Sequence, residues 1–337
     1  VQHRAFICGL SGLSLSEGER GFLSEARPAG LILFKRNIDT PEQVRRLIAD
    51  ARAAAGDGPM LVMVDQEGGR VQRLSAPHWP RYPAARCFCE RAPGLDEAKA
   101  PARLCARAMA HDLHALGFNT TCAPVLDVPI PGADNIIGDR AYAEDVESVI
   151  ALGGAVAEGL LAGGVLPVMK HIPGHGRAMA DSHLALPVVD TPLPDLNAHD
   201  FAPFRALRAI PMAMTAHVVF TAVDPAAPVT VSKKAIAGVI RGVIGFGGLL
   251  MSDDLSMRAL SGTLSERARA AFEAGCDLAL HCNGDRREME AVAAASPALE
   301  GDALRRFEAA LAQLRPPEAF DRAAAEQTRR DFLAAEA

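Results

Sequence analysis

The chain has 337 residues, 49 % apolar and 5 % aromatic, with a formal charge of −6 and seven cysteines. With no long Lys/Arg block, this acidic balance speaks against a nucleic-acid partner, and no apolar run reaches the roughly 18 residues of a membrane span. The cysteines are odd in number and scattered, Cys87 and Cys89 stand too close for easy disulfide geometry, and no paired CxxC has zinc-site spacing. The expectation is a reduced cytoplasmic protein with buried thiols at Cys8, Cys122 and Cys276 and a core of Ala, Leu, Val and Ile. Val1 to Leu10 reads as a short strand rather than a secretory leader.

Short apolar runs alternate with longer Ala/Arg/Glu-rich stretches of helical period. Strands are expected at Arg4–Leu10, Gly30–Phe34, Met60–Asp65, Asn119–Asp127, Leu166–His171, Met212–Val219, Gly248–Asp253 and Asp277–Asn283. Helical stretches fall at Pro41–Ala55, Ala100–Leu116, Val146–Gly163, Asp200–Ala209 and Thr263–Ala274. Thr40-Pro41 and Asp200 read as helix starts, and Pro77 to Gly94 as a long loop. Repeated β then α demands parallel strands with helices outside, and eight repeats close a barrel. The fold class is therefore α/β, a (β/α)8 TIM barrel in one domain over 1–337, with the barrel to about 284 and C-terminal helices from about 285.

Nearly every strand ends at its C-terminal side in residues a core rejects. Asp65 to Arg70 follow the third strand, and Asp127 ends the fourth, with Asn135 to Arg140 beyond it. Lys170-His171 end the fifth, His217 the sixth, Ser252-Asp253-Asp254 the seventh and Cys282-Asn283 the eighth. In such barrels that rim carries the active site. Asp65, Arg70, Arg73, Arg140, Lys170 and His171 mix donors with acceptors, as sugar hydroxyls demand, although Asp65 with Arg70 or Arg73 also suits a structural ion pair. Lys170 to Gly176 form a shaped turn, and a small-residue loop then delivers Asp181 and His183, two apart. A carboxylate beside an imidazole can fix its tautomer and support proton transfer near neutral pH; the same pair also suits a metal site. Adjacent strand residues point opposite ways, so only one of Asp253 and Asp254 can face the barrel mouth. His217 reads equally as a ligand contact or a core histidine.

Three segments, Asp65–Arg73 (DQEGGRVQR), Lys170–Gly176 with Asp181–His183, and Ser252–Met257 (SDDLSM), resemble in this order glycoside hydrolase family 3, and within it the bacterial β-N-acetylglucosaminidases of the NagZ type. The similarity runs from Gly30–Phe34 to Ala274–Asp277, with Ile172 where many relatives carry Phe. It implies Asp253 as nucleophile, His183 as acid/base assisted by Asp181, and substrate contacts from Asp65, Arg73, Arg140, Lys170 and His171. It also implies a muropeptide substrate and a role in peptidoglycan recycling; a monomer with no metal and no cofactor is the accompanying expectation. The glycines and alanines of 174–180 suggest a loop that closes over substrate. Phosphorolysis at the same site, a non-catalytic sugar-binding barrel and a metal-dependent hydrolase are the competing readings.

Overall fold

The computed structural model describes residues 2–56, 58–182 and 185–333. Eight parallel strands form a closed barrel. They are β1 (Arg4–Gly9), β2 (Pro28–Leu33), β3 (Leu61–Val64), β4 (Thr120–Thr121), β5 (Leu166–Ile172), β6 (Met212–Thr215), β7 (Leu249–Asp254) and β8 (Leu278–His281). Each strand pairs with its sequence neighbours, and β1 pairs with both β2 and β8, as in Leu31 against Cys8 and Ile7 against Leu280. Closure leaves no free edge to template aggregation.

Alternation along each strand splits the core in two. Ala5 and Ile7, Leu61 and Met63, Leu166 and Val168, Met212 and Met214, Leu249 and Met251, and Leu278 and Leu280 fill the barrel interior. Their neighbours, such as Phe6, Val62, Met169, Ala213 and Leu250, pack against the surrounding helices. The helix Gly301–Leu311 closes the N-terminal end of the barrel, sending Phe307 and Ala310 into the interior cluster. The helix Arg322–Leu333 instead packs outside, with the Phe332 ring 5.2 Å from Phe88. Among the described residues, no helix is long and apolar enough to cross a membrane.

Several local expectations shift. Thr40 does cap Pro41–Ala55, its hydroxyl accepting from the Gln43 amide at 3.2 Å. The helix expected from Ala100 starts at Leu95 and carries Pro101 inside it, in its second turn, where proline removes one backbone hydrogen bond and crowds the carbonyl four residues back. Pro77 to Gly94 is not all loop: Ala85–Arg91 is helical and buries Cys87 and Phe88, although Ala84 offers no side-chain cap. Asp200 caps nothing. It is buried and accepts from Arg177 Nε at 2.6 Å, tying the segment after β5 to the segment before β6. Cys8, Cys122 and Cys276 are buried free thiols.

Candidate active site

A cleft of about 370 Å³ opens at the C-terminal end of the strands, inside the usual small-ligand range of roughly 300–1,000 Å³. The alternation that fills the barrel also decides which polar residues reach it. Two positions beyond the interior-facing Met63, Val168 and Met251 stand Asp65, Lys170 and Asp253, and all three line the cleft.

After β3 the chain folds into a tight hairpin, Gln66–Gly68 against Val71–Gln72. Gly68 and Gly69 take φ of 100° and 55°, and a Cβ on Gly68 would meet the Pro83 carbonyl at 2.2 Å. The buried Gln66 braces the turn by accepting from the amides of Arg73 and Leu74 at 2.9 and 3.0 Å. The result is a row of alternating charge. Arg140 grips Glu67 through two nitrogens at 2.9 and 3.0 Å, and Glu67 forms an ion pair with Lys170 Nζ at 2.6 Å. Lys170 also donates to Asp65 at 3.2 Å, and Asp65 accepts from Arg73 at 3.1 Å. Burial alone would neutralise these groups. For Asp65 the burial effect is outweighed by Lys170 and Arg73, and for Glu67 by Arg140 and Lys170, so both carboxyls sit below their ordinary range. Burial likewise disfavours the Lys170 ammonium, yet Glu67 and Asp65 raise its pKa overall.

The end of β5 carries a cis Lys170–His171 peptide. Asp127, fully buried, accepts from the amides of His171 and His175 at 3.2 and 2.7 Å and from His171 Nδ1 at 2.7 Å. That contact places the His171 proton on Nδ1 and leaves Nε2 as the ring nitrogen open to a ligand. His175 also lines the cleft, its Nε2 3.2 Å from Ser182 Oγ, and Ser182 lines it too. The segment after β5 therefore reaches the site. Asp181 is half-buried, does not itself line the cleft, and its carbonyl accepts from the Ala185 amide at 3.0 Å. His183 lies outside the described residues.

At the end of β7 the two carboxylates divide. Asp254 accepts from the amide and hydroxyl of Ser256 at 3.1 and 2.6 Å and from the Cys282 amide at 3.1 Å. It holds the turn and the end of β8. Both residues line the cleft, but the oxygens of Asp254 are committed to that turn, whereas Asp253 keeps only Oδ1 engaged by a backbone group, accepting from the Asp254 amide at 2.8 Å. Burial pushes the Asp253 pKa up, but His217, His171, the Asp254 amide and Lys170 together bring it below the ordinary carboxylate value. A carboxylate held in its charged form at a sugar-sized cleft, beside imidazole edges and hydrogen-bond donors, has the character a nucleophile needs.

Asp65, Arg73, Arg140, Lys170, His171 and Asp253 thus converge on one cleft. Arg70 lines it too, but its guanidinium is occupied by Asp139 at 2.8 Å and by the carbonyls of Asn135, Ile136 and Ile137, so it staples the loop after β4. Sequence reasoning passed over Glu67, Phe34, Arg36 and His175. Each stands at or just beyond a strand end, which was the available signal. Arg36 and Arg73 flank the Phe34 ring at 5.0 and 5.3 Å on the cleft wall.

The chain matches the model of the glycosyl hydrolase family 3 N-terminal domain over residues 9–313. The chain belongs to glycoside hydrolase family 3. This family 3 chain is 43 % identical over 292 residues to a beta-hexosaminidase of Alkalilimnicola ehrlichii, covering 82 % of this chain and 80 % of that one. Native NagZ from Neisseria gonorrhoeae superposes with a TM-score of 0.85 at 32 % identity, covering 100 % of this chain and 96 % of that one. A glycoside hydrolase family 3 beta-N-acetylglucosaminidase from Paenibacillus sp. gives a TM-score of 0.80 at 32 % identity; it covers 97 % of this chain, which spans 61 % of that longer protein. The family 3 chain is accordingly a glycoside hydrolase, a β-N-acetylhexosaminidase.

Proposed function

We propose that the chain is a retaining exo-β-N-acetylglucosaminidase acting on peptidoglycan fragments, releasing terminal non-reducing N-acetylglucosamine from GlcNAc-1,6-anhydroMurNAc with or without its peptide. Asp253 attacks the anomeric carbon while His183, oriented by Asp181, gives its proton to the leaving oxygen. Water then attacks the glycosyl-enzyme with His183 as base, and the configuration is retained. The observation that carries this reading is the Asp253 carboxyl on the cleft wall, with one oxygen held by the Asp254 amide. Asp65, Arg73, Arg140, Lys170 and His171 meet the sugar hydroxyls, for which ion-paired groups with spare donors and acceptors are suited. The roles of His183 and Asp181 are those that the resemblance to the family implies. Cys8, Cys122 and Cys276 as free thiols agree with work in the reducing cytoplasm.

The deciding experiment is incubation with a 2-fluoro glycosyl donor followed by mass mapping. A covalent adduct on Asp253 is expected; an adduct on another residue, or none with an enzyme that turns over substrate, overturns the assignment. Repeating turnover in phosphate and analysing products distinguishes hydrolysis from phosphorolysis, since only the second yields a sugar phosphate.

A further inference from the structure

Asp253 lines the cleft, and behind it the backbone of the Asp253–Asp254 pair is held by Thr215 at the Asp253 amide and His217 at the Asp254 carbonyl, with Thr230 bridging the two; all three are 0 % exposed. His217 Nε2 lies 3.0 Å from the Asp254 carbonyl, and its Nδ1 lies 2.7 Å from Thr230 Oγ1. Thr230 Oγ1 is 2.7 Å from Thr215 Oγ1, and Thr215 Oγ1 is 3.4 Å from the Asp253 amide.

Donor and acceptor accounting allows one arrangement of protons for neutral His217. A carbonyl can only accept, so Nε2 carries the hydrogen and Nδ1 is a lone pair. The Thr230 hydroxyl must then donate to Nδ1, which leaves its oxygen to accept from Thr215. Thr215, having given its hydrogen to Thr230, presents a lone pair to the Asp253 N–H. Every member is satisfied, and the relay runs unidirectionally from the Asp253 amide round to the Asp254 carbonyl. Both ends of the Asp253–Asp254 unit are held by an uncharged, fully buried loop of hydrogen bonds. Only a side chain with a donor and an acceptor on opposite edges can close it, and neutral imidazole is that group. Protonating His217 would put a second hydrogen opposite Thr230, whose own hydrogen would have to swing to the Ala216 carbonyl at 3.3 Å. Burial works against that proton.

We propose that Thr215, Thr230 and His217 form a positioning relay that fixes the backbone of the nucleophile, with His217 acting as a neutral Nε2–H imidazole that touches no substrate. This rests on Asp253 being the nucleophile. A displacement of about 1 Å at a reacting group can cost roughly a hundredfold in rate, so loosening the relay acts on the chemical step, whereas the sugar contacts on β3 and β5 stay in place.

The test compares Thr230→Val, which keeps shape and removes the hydroxyl, with Thr230→Ser, which restores it. Turnover of an aryl N-acetyl-β-glucosaminide is measured well below each variant's melting temperature, with labelling by the 2-fluoro donor alongside. For Thr230→Val, kcat and the labelling rate are expected to fall at least about tenfold with KM within about twofold, and Thr230→Ser to recover most of the loss. A folded Thr230→Val enzyme with wild-type kcat, or one that loses only KM, overturns the proposal. Should Thr230→Val fail to fold, Thr215→Val cuts the same relay at its link to the Asp253 amide, and unchanged kcat there is equally fatal. Wild-type label on a residue other than Asp253 sinks the nucleophile assignment itself, whereas label on Asp253 with indifferent valine variants sinks only the relay.

Discussion

Replacing Glu67 with glutamine attacks the centre of the charge row. Glu67 accepts two hydrogen bonds from Arg140 and forms an ion pair with Lys170, and the side chains involved are 7 % exposed for Glu67, 10 % for Arg140 and 3 % for Lys170, so solvent screens little of the loss. Removing one partner of a buried ion pair costs about 3–5 kcal/mol. Glutamine keeps the volume and one acceptor, and Asp65 still serves Lys170, which places the loss near the lower end, about 3 kcal/mol. At about 2–4 °C per kcal/mol for large domains, the melting temperature should drop by roughly 6–12 °C. Because folding lowers the Glu67 pKa, its contribution is whole above the unfolded value of about 4.3 and fades as pH falls through the lower folded value. The gap between wild type and variant, followed by calorimetry, should therefore be full at pH 7 and narrow in acid. KM for an aryl N-acetyl-β-glucosaminide should rise, since Lys170 and Arg140 lose their common anchor. A variant melting within 2 °C of wild type with unchanged KM refutes the reasoning.

Other outcomes follow from the same geometry. Asp253→Asn should lower kcat by roughly 10⁴-fold or more, whereas Asp254→Asn, which keeps an acceptor for the Ser256 and Cys282 amides, should retain far more; equal losses would mean the two carboxylates are wrongly divided. His183→Ala should slow substrates with poor leaving groups more than activated aryl glycosides in the glycosylation step, and an equal loss on both would count against proton donation. Burial, with help from His171, lowers the His175 pKa to about 4, below its unfolded value of about 6.5. The unfolded chain therefore takes up a proton first as pH falls, and this group withdraws about 3 kcal/mol of stability between neutrality and pH 4. His175→Gln should flatten that part of the stability–pH curve; an unchanged slope in a folded variant would show the titration lies elsewhere.

The eight repeats, and with them the barrel, were legible because hydrophobic periodicity is local: each strand declares itself within a few residues. The same period placed Asp65, Lys170 and Asp253 on the interior-facing side, since each stands an even number of positions from a core residue. The short Ala85–Arg91 helix has no side-chain cap to announce it, whereas Ser16 and Glu19 form a capping box whose spacing is visible in the sequence. Which charge meets which was a different question. Lys170 reaches Asp65 across 105 residues, Arg140 reaches Glu67 across 73, and Arg70 turns away to Asp139. Residue order therefore settled the architecture and supplied the chemical groups; only closure of the barrel, which brings the ends of strands distant in the chain onto one rim, chose their partners, because a hydrogen bond or ion pair depends on ångström-scale separation in space, to which distance along the chain is no guide.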